Sequence, residues 1–452
     1  MVWRRTIPMK LLSGAAVFLL AAVPLAAAAQ KILVVGDSQS EEYAFELPFS
    51  APASNPSQAN IRNWIEILSA ERSSQVSFGS YAASLGSYSD YRNGGYAFNW
   101  GVPSFRTSDL HELLNPPAFP TSWDQLLDYQ SKPQLKDQIQ NDVAWAVVFC
   151  GGNDVNGNYD DYYNGTVTTS AMNAIRDNLK EMVDFIQATD STVKIVLVNA
   201  PDVGVTPDVI GDHGDAAKRA VATGRISVLD SKIAAMASTE NIALVDYFSL
   251  TRQMDGPGDF YLNGTAFHKA GDNENNPRNL FARDGFHPST VAQALAANLI
   301  LQAMNTRYGS SFTVLPNREI LGDVLGLDAD QPFVDWKTAH NVASGGAADD
   351  PDHDGIPLLA EFALGLDPAA AGPPPCQVAA SSEAGQRLVV SFARDQSNGY
   401  VVTTPEWASS PAGLWQTVPT AWLAEDATRR YVRVPSTAGP HAFVRLRCTV
   451  AP

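Results

Sequence analysis

Five near-continuous apolar runs, KILVVG, YAFNWG, VAWAVVFCGG, VKIVLVNA and NIALVDY, recur in order between Lys31 and Tyr247. A strand with one wet face alternates polar and apolar residues, whereas a run that is apolar throughout must be covered on both faces, as in a parallel sheet. Helix patterns lie between and after the runs: ANIRNWIEILSAE, SAMNAIRDNLKEMVDFIQAT, DAAKRAVATGRISVLDSKIAAMAS and STVAQALAANLILQAMNTRY. The alternation predicts an α/β three-layer α/β/α sandwich around a parallel five-stranded sheet, with right-handed connections, over residues 30–308. Functional groups in such folds gather beyond the carboxyl ends of the strands, so the residues that end these runs are the informative ones.

A leader precedes the first run: Arg4, Arg5 and Lys10, the apolar stretch LLSGAAVFLLAAVPLA, then small residues. This pattern predicts a signal peptide over 1–29 and an exported mature chain, secreted or periplasmic. No later run approaches the roughly 20 apolar residues that span a bilayer, so no transmembrane segment is expected after cleavage. The formal charge is −17, and loss of the three leader cations makes it more acidic still. That balance argues against nucleic acid or anionic membrane as the main partner, since both need basic surface. The three cysteines are too few for a disulfide framework. Cys150 ends an apolar run and reads as a buried hydrophobe. Cys376 and Cys448 flank the last segment and could join its ends in an oxidising compartment, although their separation is not readable from sequence.

Four short stretches carry chemistry. GDSQS ends the first run with Ser38, NWGVPSFRT ends the second with Gly101, GGND ends the third with Asn153, and DGFHPS sets Asp284 and His287 ahead of the last helix. Taken singly, Ser38 is a helix cap, GGND and DGFH are turns, and Gly101 is a bend. A serine hydroxyl becomes a nucleophile only beside a base; His287 is a suitable one, and Asp284, three residues earlier, can hold its other ring nitrogen. Together, in this order on successive strand ends, the four stretches resemble the consensus blocks of the SGNH, or GDSL-like, hydrolases. The resemblance implies a flavodoxin-like fold and a Ser38, His287, Asp284 triad without a catalytic cofactor. It also implies an oxyanion hole made by the backbone amides of Ser38 and Gly101 and the side-chain amide of Asn153.

The sequence departs from the family pattern at Gln39, where an apolar residue is common, and at Ser104, where a second glycine is common. Gly94 and Gly95 are the alternative donors if the second block is shifted, and Asp37 reads as a support of the serine loop. His111, His213 and His268 are other imidazoles, none with an aspartate three residues before it. Residues 255–283 form a long polar loop before the histidine and are expected to face substrate.

Residues 309–375 read as a connector, and 376–452 as a small β-sandwich with segments such as RLVVSFAR and AFVRLRCTV. Within the connector, DPDHDGIPLLAE matches the calcium-loop pattern, with Asp350, Asp352, Asp354 and Glu361 as carboxylate ligands and Ile356 offering its carbonyl. It resembles the dockerin-like or thrombospondin-type-3-like connectors of secreted enzymes, which implies a structural Ca2+. In the tail, Trp407, Trp415 and Trp422 read either as core or as a sugar-stacking platform.

These features predict a secreted, monomeric serine esterase that removes acyl groups, foremost acetyl, from carbohydrate or polysaccharide. Lipase, thioesterase or arylesterase activity is the alternative within the family. A non-catalytic carbohydrate-binding surface protein is disfavoured by the intact serine, asparagine, aspartate and histidine set. A calcium sensor is disfavoured by the single loop.

Overall fold

The computed structural model describes residues 28–43, 61–82, 88–92, 94–256, 258–271, 276–372, 375–381, 383, 385–439 and 441–452. The expected leader lies outside them except for Ala28 and Ala29. Strands β1 (Gln30–Gly36), β2 (Val76–Ser77), β3 (Asn99–Gly101), β4 (Trp145–Phe149), β5 (Lys194–Val198) and β6 (Ala243–Val245) form one sheet in which every pairing is parallel. The spatial order is β2-β1-β4-β5-β6, with β3 also on β1. β1 uses one edge twice, pairing β2 at Gln30 and Lys31 and β3 at Val34 to Gly36, so six strands fill the five expected positions.

Ile32 to Val35 are fully buried, as a strand covered on both faces requires. Ile32 and Val34 join a layer with α1 (Trp64–Glu71), α6 (Tyr247–Met254) and α7 (Thr290–Tyr308). Leu33 and Val35 join the opposite layer with α2 (Thr107–Leu114), α3 (Trp123–Asn141), α4 (Thr169–Thr189) and α5 (Ala216–Thr239). Helix α3 was not anticipated. Its sequence is largely polar and carries Pro133, which normally breaks a helix interior because it lacks a backbone donor. It is held from outside: Leu135 and Ile139 are buried, and Gln138 accepts from the Trp100 indole at 2.8 Å.

Residues beyond α7 continue on this domain. Phe312, Leu315, Ile320, Leu321 and Val324 join the first layer, and the buried Arg72 guanidinium meets the Glu319 carboxylate and the Thr313 and Val314 carbonyls. A separate core then gathers Phe333, Leu358, Phe362 and Leu364 with Tyr400 and Val401. The tail is a sandwich of two antiparallel sheets, one of four strands and one of three. Trp407 and Trp422 pack at its core with ring centroids 5.0 Å apart, while Trp415 lies under the Arg445 guanidinium. Cys376 and Cys448 are free thiols on different sheets, packed against different clusters.

The 255–283 segment does not present its tip to substrate. Phe260–Leu262 and Thr265–Phe267 form a hairpin that reverses at Asn263 and Gly264, both at positive φ, as a tight two-residue turn requires. The tip is docked on the C-terminal module: Gly264 N–H donates to the Asn398 carbonyl, and the Asn263 amide donates to the Ala451 and Pro452 carbonyls. The return arm supports the histidine loop, with Ala282 N–H donating to the His287 carbonyl and Ser289 N–H to that of Leu280. Residues 272–275 lie outside the described residues.

Gly36 and Gly101 are partners in the β1–β3 register. A Cβ on Gly101 would stand 2.6 Å from the Glu41 backbone nitrogen, and one on Gly36 would stand 2.4 Å from the Phe149 carbonyl oxygen. Because backbone cannot swing aside as a side chain can, Gly101→Ala is expected to lose about 1–3 kcal/mol of unfolding free energy, read from urea denaturation. A second prediction concerns Asp230 on α5. Its Oδ1 accepts from Ala200 N–H at 3.1 Å, its Oδ2 has no partner among the described residues, and burial pushes its carboxyl up to about 8. An unfolded aspartate ionises near 4, so this site's contribution is fully present below that pH and is lost as pH rises toward 8. Asp230→Asn should therefore gain about 1–3 kcal/mol at alkaline pH, and the gain should vanish near pH 4.

Candidate active site

The carboxyl ends of β1, β3 and β4 deliver the site. β1 ends at Gly36, and Asp37 N–H donates to the Phe149 carbonyl, so Ser38 leaves the sheet between its two neighbours. Ser38 Oγ lies 2.8 Å from His287 Nε2, and His287 Nδ1 lies 2.5 Å from Asp284 Oδ2. Asp284 Oδ1 accepts from the Phe286 and His287 amides, both at 3.0 Å, which closes the DGFH turn over Gly285 at φ 70°. Burial works to raise the Asp284 carboxyl, but the His287 hydrogen bond, its charge and the two amides outweigh it and hold the group below its ordinary value. It is thus an ionised acceptor on the side of His287 away from Ser38. Such an arrangement fixes the imidazole with Nε2 toward Ser38 and stabilises the cation formed when it takes a proton.

Asp37 does not face substrate. It is 1 % exposed, its Oδ1 accepts from Gln39 N–H at 2.9 Å, and burial pushes it up to about 7. Gln39, the departure from the family pattern, is also buried, and its Oε1 accepts from Tyr247 OH at 3.2 Å. The hydroxyl of α6 therefore satisfies a polar side chain where the family usually places an apolar one.

The donor set differs from the expectation at Gly101. Its N–H donates to Asn99 Oδ1 at 3.0 Å, and its Cα packs against the Ser40–Glu41 backbone, so it is a spacer rather than an oxyanion donor. Three residues on, Ser104 adopts φ 66°, the left-handed region where a glycine is usual, and its N–H has no partner among the described residues. The Ser38 N–H is likewise without one. Asn153 donates from Nδ2 to the Phe105 carbonyl at 2.9 Å, which leaves the second proton of its amide. Beside it, Asp154 accepts from both the amide and hydroxyl of Thr107 at 2.8 Å, tying the GGND turn to the loop that carries Ser104. Gly95, an alternative donor, packs instead against the Glu42 carboxylate.

Sequence reasoning did not find the side chains that fix the serine loop. Asn63 caps α1 and donates to the Ser40 and Glu41 carbonyls; Asn99 donates to Ser40; Trp64 Nε1 donates to Ser40 Oγ. Gln293 on α7, fully buried, accepts from Trp64 N–H and donates to Tyr43 OH. The available signal was a glutamine on the apolar, alanine-rich helix STVAQALAANLIL. The other imidazoles meet surface acids: His111 with Glu181, His213 with Asp160, His268 with Asp259.

The acidic loop forms a separate constellation. Carboxylate oxygens of Asp350, Asp352 and Asp354 lie within 4.8 Å of one another, Ile356 follows the Gly355 turn, and Glu361 sits buried on the helix Leu358–Leu364. Burial and the three aspartates push the Glu361 carboxyl up to about 7.

The GDSL-like Lipase/Acylhydrolase family model matches residues 32–300. No curated protein matches the chain. Similar solved structures include an acetyl xylan esterase from Geobacillus stearothermophilus, at 14 % identity and TM-score 0.33 over 61 % of this chain and 95 % of that one. A carbohydrate esterase family 3 protein from Talaromyces cellulolyticus and an extracellular lipase from Streptomyces rimosus are each 14 % identical with TM-score 0.32, over 62 % of this chain and the whole of theirs. No helix among the described residues is long and apolar enough to cross a membrane. From β1 to α7, with its serine on the first strand end and its histidine ahead of the last helix, the chain belongs to the GDSL-like lipase/acylhydrolase family of serine ester hydrolases.

Proposed function

We propose that the protein is an exported esterase that removes short acyl groups, foremost acetyl, from carbohydrate, with Ser38, His287 and Asp284 as its triad. The observation that carries the mechanism is the unbroken hydrogen-bonded line from Ser38 Oγ through both His287 nitrogens to Asp284. Ser38 Oγ attacks the ester carbonyl carbon while its proton passes to His287 Nε2. The resulting oxyanion is held by the N–H groups of Ser38 and Ser104 and by Asn153 Nδ2. Collapse breaks the bond to the alcohol oxygen, which leaves with the proton from His287. Water, deprotonated by His287, then attacks acyl-Ser38 and restores the free serine and the acid product. Asn153 serves here because an uncharged donor already oriented by Phe105 needs no reorganisation when the charge develops.

The acyl preference is supported by a cavity of about 20 Å3 beside Gln39, Phe286 and Pro288, the chain neighbours of the nucleophile and base. Val205, Met254 and Phe281 add apolar lining and Asp202, Thr206 and Thr251 polar lining, so the space suits one small group. Carbohydrate is favoured by the export-type leader and the appended β-sandwich. The acidic net charge makes an anionic lipid surface a poor partner.

The test is hydrolysis of p-nitrophenyl acetate and a long-chain analogue, followed by acetate release from acetylated xylan. Ser38→Ala and His287→Ala should each lower kcat on the order of a million-fold. Asn153→Ala should lower it by about 100- to 1000-fold. Ser104→Gly should leave it unchanged, because glycine keeps both the N–H and the left-handed backbone. Undiminished turnover in Ser38→Ala would refute the mechanism, and preference for the long chain would refute the acyl assignment.

A further inference from the structure

We propose that the loop Asp350 to Glu361 binds one Ca2+ and that this ion seats the C-terminal β-sandwich. The loop is already wound for a cation. Gly355 N–H donates to Asp350 Oδ2, Asp354 N–H to Asp352 Oδ1, and Ile356 and Gly372 N–H to Asp354 Oδ1 and Oδ2, so Asp350 and Asp352 each have one oxygen held by backbone and Asp354 has both. His353 and Gly355 take positive φ, 63° and 89°, which turns the chain back sharply enough for the three carboxylates to converge.

The independent observation is Glu361. It is fully buried, yet neither carboxylate oxygen has a hydrogen-bond partner among the described residues, and the same holds for Asp350 Oδ1 and Asp352 Oδ2. Among the described residues no lysine or arginine bridges any of these carboxylates. Burying a carboxylate without partner or counter-charge is strongly unfavourable, so the fold is complete only with a cation in the loop. Side chains of Asp350, Asp352 and Asp354, both oxygens of Glu361 and the Ile356 carbonyl make six hard oxygen donors. An all-protein set with a bidentate carboxylate and flexible geometry suits Ca2+ better than the smaller Mg2+, which demands near-ideal octahedral geometry and keeps its waters.

The consequence for the module follows from the neighbours of Glu361. Leu358, Phe362 and Leu364, on its helix, share a core with Phe333, Tyr400 and Val401, and Leu446, Cys448 and Val450 of the adjacent strand pack against it. The four carboxylates therefore sit beneath the contact that joins connector and sandwich. Their repulsion acts against that contact until the ion neutralises it.

The experiment is calorimetric titration of the EDTA-stripped full chain with CaCl2, with thermal unfolding of the parent, Glu361→Gln and Asp352→Asn in EDTA and in millimolar CaCl2. One ion per chain is expected, with a higher melting midpoint in CaCl2 and a smaller rise in MgCl2. Each variant should bind Ca2+ at least about tenfold more weakly. The order of midpoints should also invert. Glu361→Gln should melt at or above the parent in EDTA, where the glutamate is an uncompensated charge, and below it in CaCl2. Absence of both heat and midpoint shift in the parent would overturn the proposal, as would unchanged binding in Glu361→Gln. An equal response to MgCl2 would overturn the assignment to calcium.

Discussion

The site depends on how closely three strand ends approach one another. Gly36 and Gly101 stand side by side at the ends of β1 and β3, Val102 N–H donates to the Gly36 carbonyl, and Asp37 N–H donates to that of Phe149 at the end of β4. A methyl group on either glycine would meet backbone atoms closer than van der Waals contact allows. Glycine costs conformational entropy in a strand, and this cost is offset where its absence of Cβ lets β3 and β4 close on β1. Ser38, Ser104 and Asn153 then emerge from three adjacent loops. Those loops are cross-tied by Asn63, Asn99, Asp154 and Gln293, whose amide and carboxylate groups bond to backbone rather than substrate.

Much of this could be read before the fold was known, and the reason is periodicity. Strands buried on both faces leave no polar positions, so all five apolar runs emerged as strands of the expected parallel sheet. The Asp284–His287 pair was legible because DGFH is a local motif whose two polar residues are joined within one turn. What the sequence hid were features decided by tertiary contact. Helix α3 is stabilised by the layer it packs on despite Pro133, and β2 adds only two residues to an edge. The second loop offers two small residues, Gly101 and Ser104, for one donor role. Only the backbone tells them apart, one amide being engaged by Asn99 and the other held open at positive φ.

Four buried or partly buried carboxylates show how differently one chemical group is handled. Asp284 receives an imidazole and two amides, and these overcome burial to keep it ionised. Asp37 has fewer donors and Asp230 one amide, so burial dominates and both are raised, to about 7 and about 8. Asp37 still accepts from Gln39, and its backbone carbonyl accepts from Ser40 N–H, so it braces the serine loop in either protonation state. Glu361 is the extreme, with neither oxygen engaged and like charges for neighbours. The first three each have at least one oxygen bonded within the chain. The fourth has none among the described residues, which is what the proposed ion accounts for.

The hairpin Phe260–Phe267 gives the two halves of the molecule a defined relation. Its tip is clasped by backbone carbonyls of Asn398, Ala451 and Pro452, and Gly264 lies against Pro332 and Tyr400, next to the core that holds Leu358 and Phe362. Its return arm leads through Leu280 and Ala282 to His287. A continuous path of contacts from the acidic loop to His287 does not by itself establish energetic coupling, which requires an element with two states that both ends bias. The chemistry at each end argues for a fixed strut instead. Backbone hydrogen bonds clasp the tip, while Asn279 to Ala282 beneath His287 are buried and the N–H groups of Leu280, Phe281 and Ala282 are bonded to backbone. A strut of this kind holds the sandwich at a set position relative to the serine without altering the triad. On the proposed polymeric substrate that would suffice, because a module touching the same polymer need only keep the ester within reach.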